Sequence, residues 1–113
     1  MDATIYHNPR CSTSRKALER LREGGIEPTV VKYLTDTPTR AELATLISDA
    51  GLTVREAVRT REAEYADLGL ADASDDELLD AMAAHPKLIQ RPFVVTDKGT
   101  RMARPLENLD EIL

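Results

Sequence analysis

The chain has 113 residues, a formal net charge of -5 and an isoelectric point near 5.0. That length suits one compact domain with a core that needs neither disulfides nor a structural metal. An acidic chain is poorly suited to nucleic acid or to anionic membrane, and no apolar run approaches membrane length, so neither is an expected partner.

Met1 to Tyr6 run straight into a strand, so no signal peptide is expected. Thr4-Ile5-Tyr6 carries the β-branched and aromatic residues that favour strands. His7-Asn8-Pro9-Arg10 reads as a loop. From Ser14 onward Ala17, Leu18 and Leu21 fall on one helical face, and Gly24-Gly25 ends that helix. Thr29 to Leu34 is a second strand. So short a strand-helix-strand connection predicts a right-handed parallel βαβ unit.

A helical insertion of about 39–86 follows. Three helix starts carry capping-box spacing: Thr39 with Glu42, Thr53 with Glu56, and Ser74 with Glu77. They predict helices over Ala41–Ala50, Val54–Arg59 and Asp75–Ala84, with a shorter helical segment around Glu62–Leu68. Gly51 and Gly69 punctuate the stretch, which offers no strand. His85, at a helix end before Pro86, suits a capping role.

The chain then returns to strands. Arg91 to Thr96 is one, Asp97-Lys98-Gly99-Thr100 supplies a turn, and Arg101 to Arg104 is the next. Pro105 opens a short terminal helix through Leu109 and Ile112. The order is β-α-β, helical insertion, β-β-α. It predicts an α/β chain with a small mixed sheet flanked by helices, as in thioredoxin-like domains.

Chemistry points to the only cysteine, Cys11. It sits where a strand has ended and a helix is about to begin. Unpaired backbone N–H groups and the positive end of the helix dipole gather there, and both favour a thiolate and a bound anion. His7 and Arg10 are close enough to add positive charge. Ser12, Thr13 and Ser14 supply hydroxyl donors. A free cysteine is often a small buried apolar residue instead. Here every other residue from His7 to Lys16 is polar or proline, which favours a reactive thiol.

Arginine outnumbers lysine eleven to four, and its planar fork suits oxyanions. Arg20, Arg22, Arg40 and Arg55 read as solvated helix faces. Arg91 and Arg104 each precede a proline around the last two strands, and Arg59 ends a helix of the insertion. Spacing alone does not bring them together. Pro92 reads either as an edge-strand start or as a cis-proline. A single cysteine allows no internal disulfide, which fits a reducing cytoplasm, and no metal-ligand spacing is present.

Three segments together carry a resemblance: Ile5-Tyr6-His7-Asn8-Pro9-Arg10-Cys11-Ser12-Thr13-Ser14-Arg15, Leu88-Ile89-Gln90-Arg91-Pro92-Phe93-Val94-Val95, and Arg104-Pro105. The whole chain resembles the glutaredoxin-dependent arsenate reductases of arsenical resistance. The resemblance implies a thioredoxin-like fold with a helical insertion. It implies Cys11 as nucleophile, with His7 helping to lower its pKa and with Asn8 and Ser14 at motif positions of the cysteine loop. Arg59, Arg91 and Arg104 match the arginines that bind and orient the oxyanion, and Pro92 matches a cis-proline.

The implied reaction is reduction of arsenate to arsenite. With no second thiol in the chain, glutathione is the implied co-substrate and glutaredoxin the implied partner. No bound cofactor, no metal, a monomeric state and a cytoplasmic location are expected. Two rival readings remain within reach of the same residues. One is a thiol-based regulator of the same superfamily that binds RNA polymerase. The other is a glutathione-dependent thiol transferase without arsenate activity.

Overall fold

The computed structural model describes all 113 residues. The chain divides into two compact units, one built from residues 1–36 and 91–113 and the other from residues 37–90.

The first unit contains strand β1 (Ala3–Tyr6), helix α1 (Ser12–Glu23), strand β2 (Thr29–Val31), strands β3 (Phe93–Thr96) and β4 (Gly99–Met102), and a terminal 3-10 helix over Leu106–Ile112. The strands form one mixed sheet in the order β2-β1-β3-β4. β1 and β2 are parallel neighbours, as a strand-helix-strand unit requires, with Ile5 opposite Val30. β1 pairs antiparallel with β3, and β3 with β4, so Ile5 faces Val94 and Val94 faces Arg101.

Alternation along β1 buries Ala3 and Ile5 and leaves Thr4 and Tyr6 half-buried. Ile5 and Val94 pack with Ala17 and Leu21 of α1 and with Leu109 and Ile112 of the terminal helix, all fully buried. Each such leucine or isoleucine contributes about 1.5–3 kcal/mol by leaving water. Gly24 and Gly25 stop α1: Gly25 takes φ +79°, and the Ile26 N–H closes back on the Leu21 carbonyl.

Some boundaries differ from the sequence reading. β2 ends at Val31 rather than Leu34, because the Lys32 carbonyl accepts from both Thr35 and Asp36 and turns the chain. α1 starts at Ser12, with Cys11 itself at the N-cap. β4 covers Gly99–Met102 because Thr96 and Val95 pair with Gly99 and Thr100, which leaves Arg104 beyond the strand.

The second unit holds α2 (Arg40–Asp49), α3 (Val54–Ala57), α4 (Ala63–Asp67) and α5 (Asp75–Ala84), with 3-10 turns at Leu70–Asp72 and Pro86–Leu88. All three capping boxes form: the Thr39, Thr53 and Ser74 hydroxyls accept from the backbone of Glu42, Glu56 and Glu77, whose carboxylates answer. α3 stops at Ala57, two residues short of the expected end. Val58 turns extended and bridges Ile89, with Arg59 N–H bonded to the Leu88 carbonyl and Gln90 N–H to that of Ala57.

Arg55 is not the solvated residue its sequence position suggests. Its guanidinium is partly buried and donates to the Tyr65 hydroxyl at 3.1 Å and to the carbonyls of Leu70 and Ala73 at 2.8 and 2.7 Å. Arg20, Arg22 and Arg40 do lie at the surface, paired with Asp110, with Glu27, and with Asp76 and Asp80. No helix is long and apolar enough to cross a membrane.

Candidate functional site

The site grows out of the sheet. After β1 the His7 N–H still bonds to the Val31 carbonyl at 2.8 Å, so the parallel pairing delivers His7 to the end of the strand. The chain then folds into a tight loop. The Asn8 carbonyl accepts the Cys11 N–H and the Asn8 Oδ1 accepts the Arg10 N–H, both at 3.0 Å. Asn8 also donates its own N–H to the Ser14 Oγ at 3.1 Å. Asn8 thus ties the loop to itself through its side chain and its carbonyl, and to the first turn of α1 through its backbone N–H.

Cys11 is 8% exposed, so its thiol is buried, as free cysteines often are. Its surroundings are not apolar, however. Arg104 Nη2 donates to Cys11 Sγ at 3.4 Å. Burial pushes the thiol pKa up. The Ser14 backbone N–H, then the Arg91 guanidinium as donor and as charge, then the charge of Arg104 outweigh it and leave the thiol below its ordinary value. The sulfur makes no capping hydrogen bond to the first turn of α1.

The hairpin of β3 and β4 explains why two arginines thirteen residues apart meet here. The Ala103 N–H bonds to the Pro92 carbonyl at 2.8 Å, and Arg104 Nε donates to the Arg91 carbonyl at 3.3 Å. Both the Arg91–Pro92 and Arg104–Pro105 peptides are cis. Pro92 thus takes the second of the two readings its sequence position allows. The second cis bond differs from the sequence reading, which places Pro105 only at the start of the terminal helix. Arg91 Nε is buried and meets no acceptor within the protein.

His7 departs from the expected cationic role. Its Nδ1 shares a 2.7 Å hydrogen bond with Ser14 Oγ. Burial first, then the charges of Lys32, Arg22 and Arg15, push its pKa down. His7 is therefore neutral at pH 7 and bears on Cys11 by way of Ser14. Arg10 is exposed, and its backbone N–H rather than its side chain is what the loop uses.

The structure thus brings Cys11, Ser14, Asn8, His7, Arg91 and Arg104 into one cluster on the first unit. Arg59 belongs to the second unit, where it is partly buried and paired with Glu62 at 3.2 Å and with the Gln90 side chain at 3.4 Å. What the residues can do together is stabilise a thiolate and present two arginine forks beside it, a set that favours attack on an oxyanion.

Comparison with known proteins places the chain in a family. The ArsC family model matches residues 6–112. An arsenate reductase of Rhizobium meliloti is 57% identical, the match covering 100% of this chain and 82% of that protein. An arsenate reductase of Escherichia coli is 53% identical, covering 97% of this chain and 79% of that one. A solved arsenate reductase from Vibrio cholerae superposes with a TM-score of 0.95 at 48% identity, covering 100% of this chain and 98% of that one. Its fold is the mixed four-stranded, thioredoxin-like arrangement described above. With the family model spanning nearly the whole chain and relatives at this identity, the chain belongs to the ArsC family.

Proposed function

We propose that this chain is an arsenate reductase in which Cys11 is the nucleophile and glutathione and glutaredoxin are the external reductants. The observation that carries the reading is the contact between Arg104 Nη2 and Cys11 Sγ, with Arg91 beside them. An arginine on a sulfur both holds the thiolate and leaves the rest of its fork for an incoming oxyanion. The unpaired Arg91 Nε is a second donor of the same kind.

The steps balance as follows. The Cys11 thiolate attacks arsenic, an As–O bond breaks, protons are taken up and water leaves, giving a Cys11–S–As(V) adduct. A glutathione thiolate then attacks the Cys11 sulfur. The S–As bond breaks with its electron pair left on arsenic, so arsenic is reduced by two electrons and each sulfur is oxidised by one. Arsenite departs and Cys11 remains joined to glutathione. A glutaredoxin thiolate takes the glutathionyl group and returns Cys11 as thiolate. The chain's single cysteine supports this route, since it cannot form an internal disulfide. Arg59 is the third arginine that family membership suggests, and the turnover of Arg59→Ala tests it.

The deciding experiment is arsenate-dependent NADPH oxidation coupled through glutathione, glutaredoxin and glutathione reductase. Consumption that requires arsenate, glutathione and Cys11 is the expected result. A rate unchanged by leaving out arsenate indicates a thiol transferase. No consumption, together with binding to RNA polymerase, indicates a regulator.

A further inference from the structure

We propose that Arg15 is a positioning residue that clamps the nucleophile loop onto the first turn of α1, separate from the arginines that meet the oxyanion. The inference rests on Cys11 being the nucleophile. The loop from His7 to Arg10 touches α1 through few bonds. Asn8 N–H and His7 Nδ1 both converge on one atom, Ser14 Oγ. Those two bonds secure the strand-side half of the loop. The half that runs into Cys11, Pro9 and Arg10, is exposed. Pro9 has no N–H to contribute. Its carbonyl accepts from Arg15 Nη1 at 2.9 Å, while the Arg15 backbone N–H bonds to the Cys11 carbonyl at 3.0 Å. The backbone bond is the first i→i−4 bond of α1 and fixes residue 15 one turn above Cys11, and the guanidinium reaches back from there to hold the loop at residue 9.

The placement is otherwise unfavourable. Arg15 is the fourth residue of α1, near the positive end of the helix dipole, where a cation is disfavoured. Turning the guanidinium back onto a carbonyl offsets that repulsion. The same charge is one of the three that keep His7 neutral, so Arg15 acts on both ends of the loop.

The test compares Arg15→Ala, Arg15→Gln and Arg15→Lys. Its first readout is the pH profile of Cys11 alkylation by iodoacetamide, which needs no arsenate and so stands or falls apart from the reductase reading. We expect the inflection to move up in Arg15→Ala and the rate at neutral pH to fall about three- to tenfold, with Lys restoring most of it. In the coupled assay kcat should fall while KM for arsenate changes less than about twofold. A wild-type alkylation profile in Arg15→Ala overturns the proposal. So does a raised KM with an unmoved inflection, which would make Arg15 an anion-binding residue. If Arg15→Ala does not fold, the Gln and Lys variants carry the same comparison. The clamp then requires Lys to lie nearer wild type than Gln.

Discussion

Arg104 and Cys11 stand 93 positions apart in the chain, and the guanidinium of one donates to the sulfur of the other at 3.4 Å. The thiol's ionisation therefore depends on the hairpin at the other end of the sequence as well as on its own helix.

The first expectation follows directly. Iodoacetamide alkylation of Cys11 should show an inflection below the ordinary thiol value of about 8.5, and Arg91→Ala or Arg104→Ala should each move it up. The sign for stability is the same. Between the folded-state pKa and about 8.5 the unfolded chain holds more protons on Cys11, so its contribution grows as pH rises through that window. Urea unfolding at about pH 6 and about pH 9 should show the native chain gaining on Cys11→Ser as pH rises. A constant difference would mean that the thiol is unperturbed.

His7 titrates in the opposite sense to a cationic activator. NMR should place its inflection below about 6.5. As pH falls from about 6.5 toward the folded-state value, the unfolded chain takes up the proton first and stability declines. His7→Ala should remove that acid-side loss. By freeing Ser14 it should also raise the alkylation inflection of Cys11. An inflection of His7 above about 6.5 would restore the cationic role.

Arg91 and Arg104 are expected to act on turnover more than on stability. Charge-assisted hydrogen bonds contribute about 1.5–3 kcal/mol each, so Ala at either position should lower kcat/KM for arsenate roughly 10- to 100-fold. Lysine should recover only part, because it has no planar fork. Full activity in both Lys variants would show that charge alone suffices.

Arg55 should matter for folding and not for chemistry. Arg55→Ala leaves the Leu70 and Ala73 carbonyls without their donor and should cost about 2–3 kcal/mol in urea unfolding. Arg55→Lys should recover less than half of that, since one amine cannot reach three acceptors. A loss under about 0.5 kcal/mol would return Arg55 to the class of solvated surface arginines.

The mixed disulfide should be visible directly. Arsenate and glutathione without glutaredoxin should build up one glutathione adduct by intact mass, absent in Cys11→Ser and removed by dithiothreitol. Arsenite production with no such adduct would rule out the proposed second half of the reaction.

Much of this was legible in the sequence because the signals were local. Three capping boxes marked three helices, since hydroxyl and carboxylate answer each other within one turn. The polar run around Cys11 marked the cysteine loop, while Arg91 and Arg104 were joined to it only by the family resemblance. Bonds across the chain were not legible. Arg55 looks like a surface helix residue until Tyr65, Leu70 and Ala73 come round to meet it. His7 looks cationic until burial and three neighbouring cations are counted. The end of α3 depends on Val58 finding Ile89, a pairing that no helical periodicity reveals.

The division of the first unit into residues 1–36 and 91–113 has a consequence for biosynthesis. Cys11 precedes the whole helical unit in the chain, and Arg91 and Arg104 follow it. β1 is an interior strand, yet its β3 neighbour is translated only after the entire helical unit. Until then the emerging chain carries an unclamped cysteine and an open strand edge, the state in which nascent proteins are most exposed to misassociation. The thiol gains the two arginines that favour its ionisation only once the β3–β4 hairpin has been made, so its full reactivity arrives with the completed sheet.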